Sequence, residues 1–140
     1  MSLSFVLPPA SLRRSPMKRL LVACVVLMAA ACKEEATFQG MPTRYWLEQL
    51  KNPNATARAR AANALLHLGP EAKRAIPDLI KLLDDREPLV RWSAATTLGE
   101  FGPASRGAAP ALERLAAKDP EAVVRDAAGW ALKQVSSETE

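Results

Sequence analysis

The chain has 140 residues, the length of one domain and too short for a catalytic domain joined to a regulatory one. Apolar residues make up 49%, charged residues 24% and aromatic residues 5%, and 11 Pro outnumber 6 Gly. That balance excludes a β-sandwich or a disordered acidic tail and points to an all-α, Ala/Leu-rich protein with punctuated turns. The net charge of +4 would suggest a nucleic-acid partner, but Arg13, Arg14, Lys18 and Arg19 stand in the first 32 residues, which hold no acid. The remainder therefore carries as many basic as acidic groups, so no nucleic-acid partner is expected.

Met17-Lys18-Arg19 followed by the apolar run Leu20 to Ala31 reads as a signal peptide over residues 1–31, with Met17 as the simplest true start. Twelve helical residues reach only about 18 Å of a ~30 Å hydrocarbon core, too little to span it. Small residues Ala29-Ala30-Ala31 lead directly into Cys32, and Lys33-Glu34-Glu35 turn polar at once. This arrangement resembles the lipobox of bacterial lipoproteins, which implies lipid attachment at Cys32, a membrane partner and a place in the bacterial cell envelope. The family commonly has Leu where this chain has Ala29. Leu21-Val22-Ala23-Cys24 matches better locally but leaves almost no apolar stretch before it. Ordinary cleavage after Ala31 with Cys32 as a free thiol, or an uncleaved anchor, fits the same residues. Residues 32–42 are then the lipid-attachment Cys and a tether, of which Lys33 to Gly40 extends at most about 28 Å.

From Gly40 onward the chain matches itself at an offset of 33. Arg58 falls on Arg91, Ala61-Ala62 on Ala94-Ala95, Leu65 on Leu98, Gly69-Pro70 on Gly102-Pro103, and Pro77 on Pro110. A third copy follows at 34, with Arg125, Ala128, Leu132 and Val135 on Arg91, Ala94, Leu98 and Phe101. Each unit reads as a helix pair. The first helices are Tyr45 to Lys51, Ile76 to Leu83 and Pro110 to Lys118, with Pro77 and Pro110 in the first turn. Turns at Asn52-Pro53-Asn54, Asp84-Asp85-Arg86 and Lys118-Asp119-Pro120 supply residues able to cap the second helices. Those helices show one apolar face, as at Val90, Ala94, Leu98 and Phe101, and stop at Gly-Pro.

The Pro of the first helix, Leu82-Leu83 before Asp84-Asp85, then Val90-Arg91, Ala94-Ala95, Leu98-Gly99 and Gly102-Pro103 carry a resemblance to HEAT repeats of the short type named from phycobilisome lyase subunits. It implies an α-α superhelix of about three helix pairs over residues 43–135, ahead of a polar tail at 136–140, with second helices lining the concave surface. Arg44 in place of Pro77, and Ser136-Ser137 in place of Gly-Pro, mark the terminal units.

Alignment of the units sorts the remaining candidates. Trp46 falls on Leu79 and Leu112 and is a core position, whereas His67 falls on Glu100 and Gln134 and faces water. Trp92 falls on Ala59 and Asp126, and Trp130 on Asn63 and Thr96, so Trp92, Thr96 and Trp130 are candidate partner-binding residues on an amphipathic patch. The other reading makes both Trp packing lids. Arg58, Arg91 and Arg125 recur beside Asp85 and Asp119, with Asn52 at the equivalent turn, which suggests a structural polar ladder between repeats. No phosphate loop, metal-ligand spacing, catalytic triad or small-molecule site is evident, so no catalytic residue, metal or cofactor is expected. The leading expectation is a membrane-tethered, non-enzymatic module for a protein or peptide partner. Two alternatives rest on resemblance alone: a lyase-like protein or accessory subunit for tetrapyrrole chromophores, and a HEAT-like nucleic-acid repair protein akin to alkylpurine DNA glycosylases.

Overall fold

The computed structural model describes residues 35–137. The expected signal peptide, Cys24, Cys32 and the last residues of the tail lie outside the described residues. Within them, a two-stranded antiparallel hairpin, β1 (Thr37–Phe38) and β2 (Met41–Pro42), precedes six α-helices: α1 (Thr43–Gln49), α2 (Ala55–Leu65), α3 (Ile76–Leu82), α4 (Pro88–Glu100), α5 (Ala109–Lys118) and α6 (Ala122–Ser136). They form three antiparallel pairs, α1/α2, α3/α4 and α5/α6. No helix among the described residues is long and apolar enough to cross a membrane.

The helix starts follow local chemistry. Asn54 caps α2, its side chain accepting from the N–H groups of Thr56 and Ala57. Pro occupies the first turn of α3, α4 and α5, where its missing N–H leaves no bond unmade. Asp85 and Asp119 do not cap α4 and α6, as the turn sequences suggest. Glu87 and Glu121 are the cap residues, without a side-chain bond, and each Asp instead accepts the N–H two residues on. That local Asx turn leaves the rest of the carboxylate free for the ladder.

The pairs are joined by 3-10 segments, Gly69–Ala75 and Gly102–Ala108, which the sequence reading leaves as plain connections. Gly69 (φ 63) and Gly102 (φ 55) adopt the left-handed conformation that ends the preceding helix, and Pro70 and Pro103 then start the tighter turn. The same Gly-Pro motif at both places gives consecutive pairs the same connection.

The second helices stand in a row, α2 against α4 against α6, and small residues let them approach. Ala61, Ala62, Ala64, Ala94, Ala95, Ala128 and Ala131 are buried along that row. The Thr97 hydroxyl lies 3.0 Å from the Ala62 carbonyl of the neighbouring helix, a distance that a larger residue in the seam would prevent. Leu65, Leu79, Leu98 and Leu112 fill the space between the row and the first helices, and Trp46 joins them as expected. The expected tether is corrected here. Gln39 (φ 53) and Gly40 (φ 74) form the two-residue turn of the hairpin. Thr43 donates its N–H and its hydroxyl to the Ala36 carbonyl, and the Trp46 indole N–H donates to the Phe38 carbonyl. These bonds and the Phe38 ring draw residues 36–42 onto the first pair. Leu98→Ala, at the centre of this core, should destabilise the domain by roughly 2–5 kcal/mol. Thermal unfolding followed by far-ultraviolet circular dichroism should show the whole helical signal melting earlier in one transition; an unchanged melting temperature would contradict the packing.

Candidate functional site

The candidate residues lie on two surfaces: the seam of turns that orders the stack, and the solvent-facing side of the second helices. On the seam, Arg58 of α2 donates Nε and Nη2 to both carboxylate oxygens of Asp85, at 2.8 and 2.9 Å. Arg91 of α4 repeats this on Asp119 at 2.7 and 3.0 Å. Each Arg turns its Nη1 to the carbonyls of its own preceding turn: Asn52 and Pro53 for Arg58, Asp85 and Arg86 for Arg91. One guanidinium thus closes its own turn and grips the next repeat.

All four of these side chains are buried or nearly so. The Arg91 hydrogen bonds hold the Asp119 carboxyl below its usual range, outweighing burial. For Asp85 burial is the largest influence and pushes upward, but Arg58 and the Glu87 N–H together carry the carboxyl below its usual range. Arg58 and Arg91 are correspondingly raised, chiefly by the same hydrogen bonds. Arg125 departs from the expected ladder. It clamps its own turn through Nη1, to Asp119 and Pro120 at 2.7 and 3.0 Å, but meets no carboxylate among the described residues. Asn52 likewise contributes its backbone carbonyl to Arg58, while its amide donates to Gln49. The ladder has two rungs where the recurrence of Arg suggests three.

On the solvent-facing side, helical geometry places Leu89, Trp92 and Thr96 on the side of α4 opposite Ala94 and Leu98, with Val123, Asp126 and Trp130 as their equivalents on α6. The two Trp do not behave alike. Trp92 is half-buried and packs against the core, whereas Trp130 remains 38% exposed. The Trp130 ring lies over Gly99 of α4: a Cβ at that position would collide with the ring and with Ala131. Thr96 is half-buried and donates its hydroxyl to the Trp92 carbonyl one turn back, so that donor is already used. Sequence reasoning missed Leu89 and Val123, 53% and 58% exposed at the starts of α4 and α6. Their mutual alignment at an offset of 34, with Thr56 at the same position of the first unit, was the available signal. It also missed Phe38, whose ring stacks on exposed His67 at 4.4 Å between centroids.

A family model for HEAT repeats matches residues 43–133, well over half of the chain. The chain belongs to the HEAT-repeat family. Comparison with curated proteins finds no match. HEAT repeats commonly mediate protein–protein interaction, and the short solenoid found here is the fold the sequence led us to expect.

The rungs of this HEAT array differ from its surface ion pairs, and the difference is measurable. Asp119→Asn leaves Arg91 buried without its counter-charge and should destabilise the domain by roughly 3 kcal/mol, whereas Asp84→Asn, which breaks an exposed pair with Arg114, should stay below about 1 kcal/mol. Because the native carboxyls are depressed, their contribution is fully present above the unfolded value of about 4 and disappears as pH falls through the native one. Denaturant melts should therefore show the Asp119→Asn deficit at pH 7 shrinking as the pH falls below the unfolded carboxyl value. A deficit independent of pH would contradict a charged rung.

Proposed function

We propose that the chain is a non-enzymatic protein-binding or scaffold module whose contact surface is the solvent-facing side of α4 and α6, and that a lipid on Cys32 tethers it to a bacterial envelope membrane. The observation that carries the first part is Trp130: an aromatic residue, well over a third exposed, at a repeat position held by Asn63 and Thr96 in the other units. Leu89 and Val123 extend the apolar surface across both helices, and half-buried Trp92 and Thr96 support it from within. Aromatic residues presented on a rigid helix are the usual anchors of protein contacts, because little side-chain freedom is lost on binding.

Support for the tether comes from the apolar run Leu20 to Ala31 and the small residues before Cys32. A diacylated Cys carries two chains, enough for stable anchoring. With residues 36–42 folded onto the first pair, only Lys33, Glu34 and Glu35 separate Cys32 from the domain, a reach of about 10 Å when extended. A partner would then be met close to the bilayer surface.

The two parts are tested separately. Peptides selected from a random display library on the immobilised full chain should bind Trp130→Ala more weakly by over ~1 kcal/mol, with a loss of thermal stability well below that of Leu98→Ala. Trp92→Ala should instead lower the melting temperature, since its ring packs against the core. If Trp130→Ala costs stability and leaves selected peptides bound, the ring is a packing lid and the surface reading fails. For the tether, intact-mass analysis of membrane-extracted protein should find a chain beginning at Cys32 with the mass of an attached lipid, and Cys32→Ser should abolish it while Cys24→Ser should not. An unmodified Cys32 in the wild type would remove the lipid from the proposal.

A further inference from the structure

The clefts at the N-terminal end of the row have a different chemistry from the others. A cleft of about 200 Å³ lies between the hairpin and α2, lined by Phe38, Gln39, Trp46, Arg60, Asn63 and His67, with Ala64 at its floor. A smaller one, about 70 Å³, lies on the other side of Arg60 against Tyr45, Trp46 and Gln49. Neither is lined by a carboxylate. Two other clefts among the described residues hold both signs of charge: Asp84, Asp85 and Asp119 beside Arg91 and Arg114 in one, Glu48 and Asp78 beside Lys51 and Arg74 in the other. In those, cations meet acids of the same chain. Arg60 has no ion pair among the described residues.

The repeat explains why Arg60 is available. Its equivalent in α4 is Ser93, fully buried, and Thr97 one turn on reaches the Ala62 carbonyl of α2, so this side of a second helix faces the preceding repeat. No helix precedes α2 on that side among the described residues. The hairpin covers part of it through the Phe38 stack on His67, and Arg60 is left over the cleft. Arg60, Asn63 and His67 are all exposed and spaced i, i+3, i+7, so three polar side chains able to donate hydrogen bonds form one stripe. Next along the row, Glu100 stands where His67 does, and the face turns apolar at Leu89, Val123 and Trp130.

We infer that the cleft between the hairpin and α2 is a subsite for an acidic side chain, Asp or Glu, of a linear protein segment whose apolar residues lie on α4 and α6. This rests on the surface proposed above and adds its chemical polarity. The Arg60 fork supplies the charge-assisted bonds, Asn63 an amide donor, and Phe38 and Trp46 the walls that exclude water from them. The α2 row position lies one to two helix spacings, about 10–20 Å, from the apolar face. An extended segment would place its acid about three to six residues from its apolar anchor. A polyanion fits less well: a phosphate chain running along the row would meet Glu100 and Asp126, both exposed, within the next two helices.

The experiment extends the display selection with a random dodecapeptide library on the full chain, with wild type, Arg60→Gln and Trp130→Ala as baits. Peptides recovered on the wild type should be enriched in Asp or Glu together with an apolar residue three to six positions away. On Arg60→Gln the apolar enrichment should persist and the acidic enrichment disappear. A synthetic representative with an amidated C-terminus should bind Arg60→Gln roughly three- to tenfold more weakly, and its acid-to-amide counterpart should bind both proteins alike, a comparison that leaves the protein fold untouched. Acidic enrichment that survives Arg60→Gln, or an amide counterpart that binds the wild type as well as the acid does, overturns the subsite. If selection still depends on Trp130 in that case, the surface reading stands alone. Absence of any enriched peptide overturns both. A ten-residue oligothymidylate that binds the wild type more tightly than the peptide and loses binding in Arg60→Gln also overturns it, naming a phosphate as the occupant.

Discussion

The inter-repeat rung, one guanidinium shared between its own turn and the carboxylate of the next, is the constraint on which the rest of this molecule depends. Apolar burial holds the helices together, but the seam of the second helices is largely Ala, with few protrusions to prevent a slip along the axis. Arg58–Asp85 and Arg91–Asp119 supply what that seam lacks, a directional contact with two bonds at fixed spacing. Burying such a pair brings little net stability, because desolvation offsets much of the attraction. Its value is register: a displacement of one helical turn would leave both charges buried and unpaired, and that penalty exceeds anything the Ala seam could recover.

Register in turn decides what the solvent-facing side presents. Trp130 can lie over α4 only because Gly99 stands opposite it, and Gly99 stands opposite only if α4 and α6 are held in their observed alignment. The equivalent position on α2 is Leu66 and on α6 Lys133, so no other pair of second helices offers the same seat. The exposed ring is therefore a product of one glycine and one rung. The two Trp, both at positions that hold a polar residue in another unit, accordingly differ in burial: Trp130 rests above the seam, whereas Trp92 is drawn against the core.

Helices, core and ladder were legible in the sequence because a repeat is its own alignment: positions that stay apolar across units, such as Trp46, Leu79 and Leu112, are core without further argument. The method fails where the units stop repeating. The hairpin at Thr37–Pro42 has no counterpart in the later units, and strands of two residues leave no alternating pattern to detect. Its anchors, the Ala36 carbonyl and the Phe38 ring, act through a backbone group and an aromatic residue close to a stretch that composition marks as a linker. Arg125 misleads for the opposite reason, since it repeats perfectly while the carboxylate it would need does not. The 3-10 segments were hidden because Gly-Pro reads as a stop and says nothing about the turn that follows.

Both ends of the described array resist extension by means unlike those that hold its middle. At the N-terminal end the hairpin and Arg60 occupy the side on which α4 and α6 each receive a neighbour, and the Phe38–His67 stack fills the apolar part of that side. At the other end Asp126, Gly129 and Lys133 take the places of Trp92, Ala95 and Gly99, so docking a further helix would strip water from two charges that have no partner waiting. Stacking of one copy on another would set Arg125 against the turn carrying Asn52, whose amide nitrogen donates to Gln49 and whose side-chain and backbone oxygens accept from Asn54 and Arg58. The negative charge of a rung would be absent. Among the described residues the second helices therefore present one continuous face of three, which the Arg60 cleft closes at its N-terminal end.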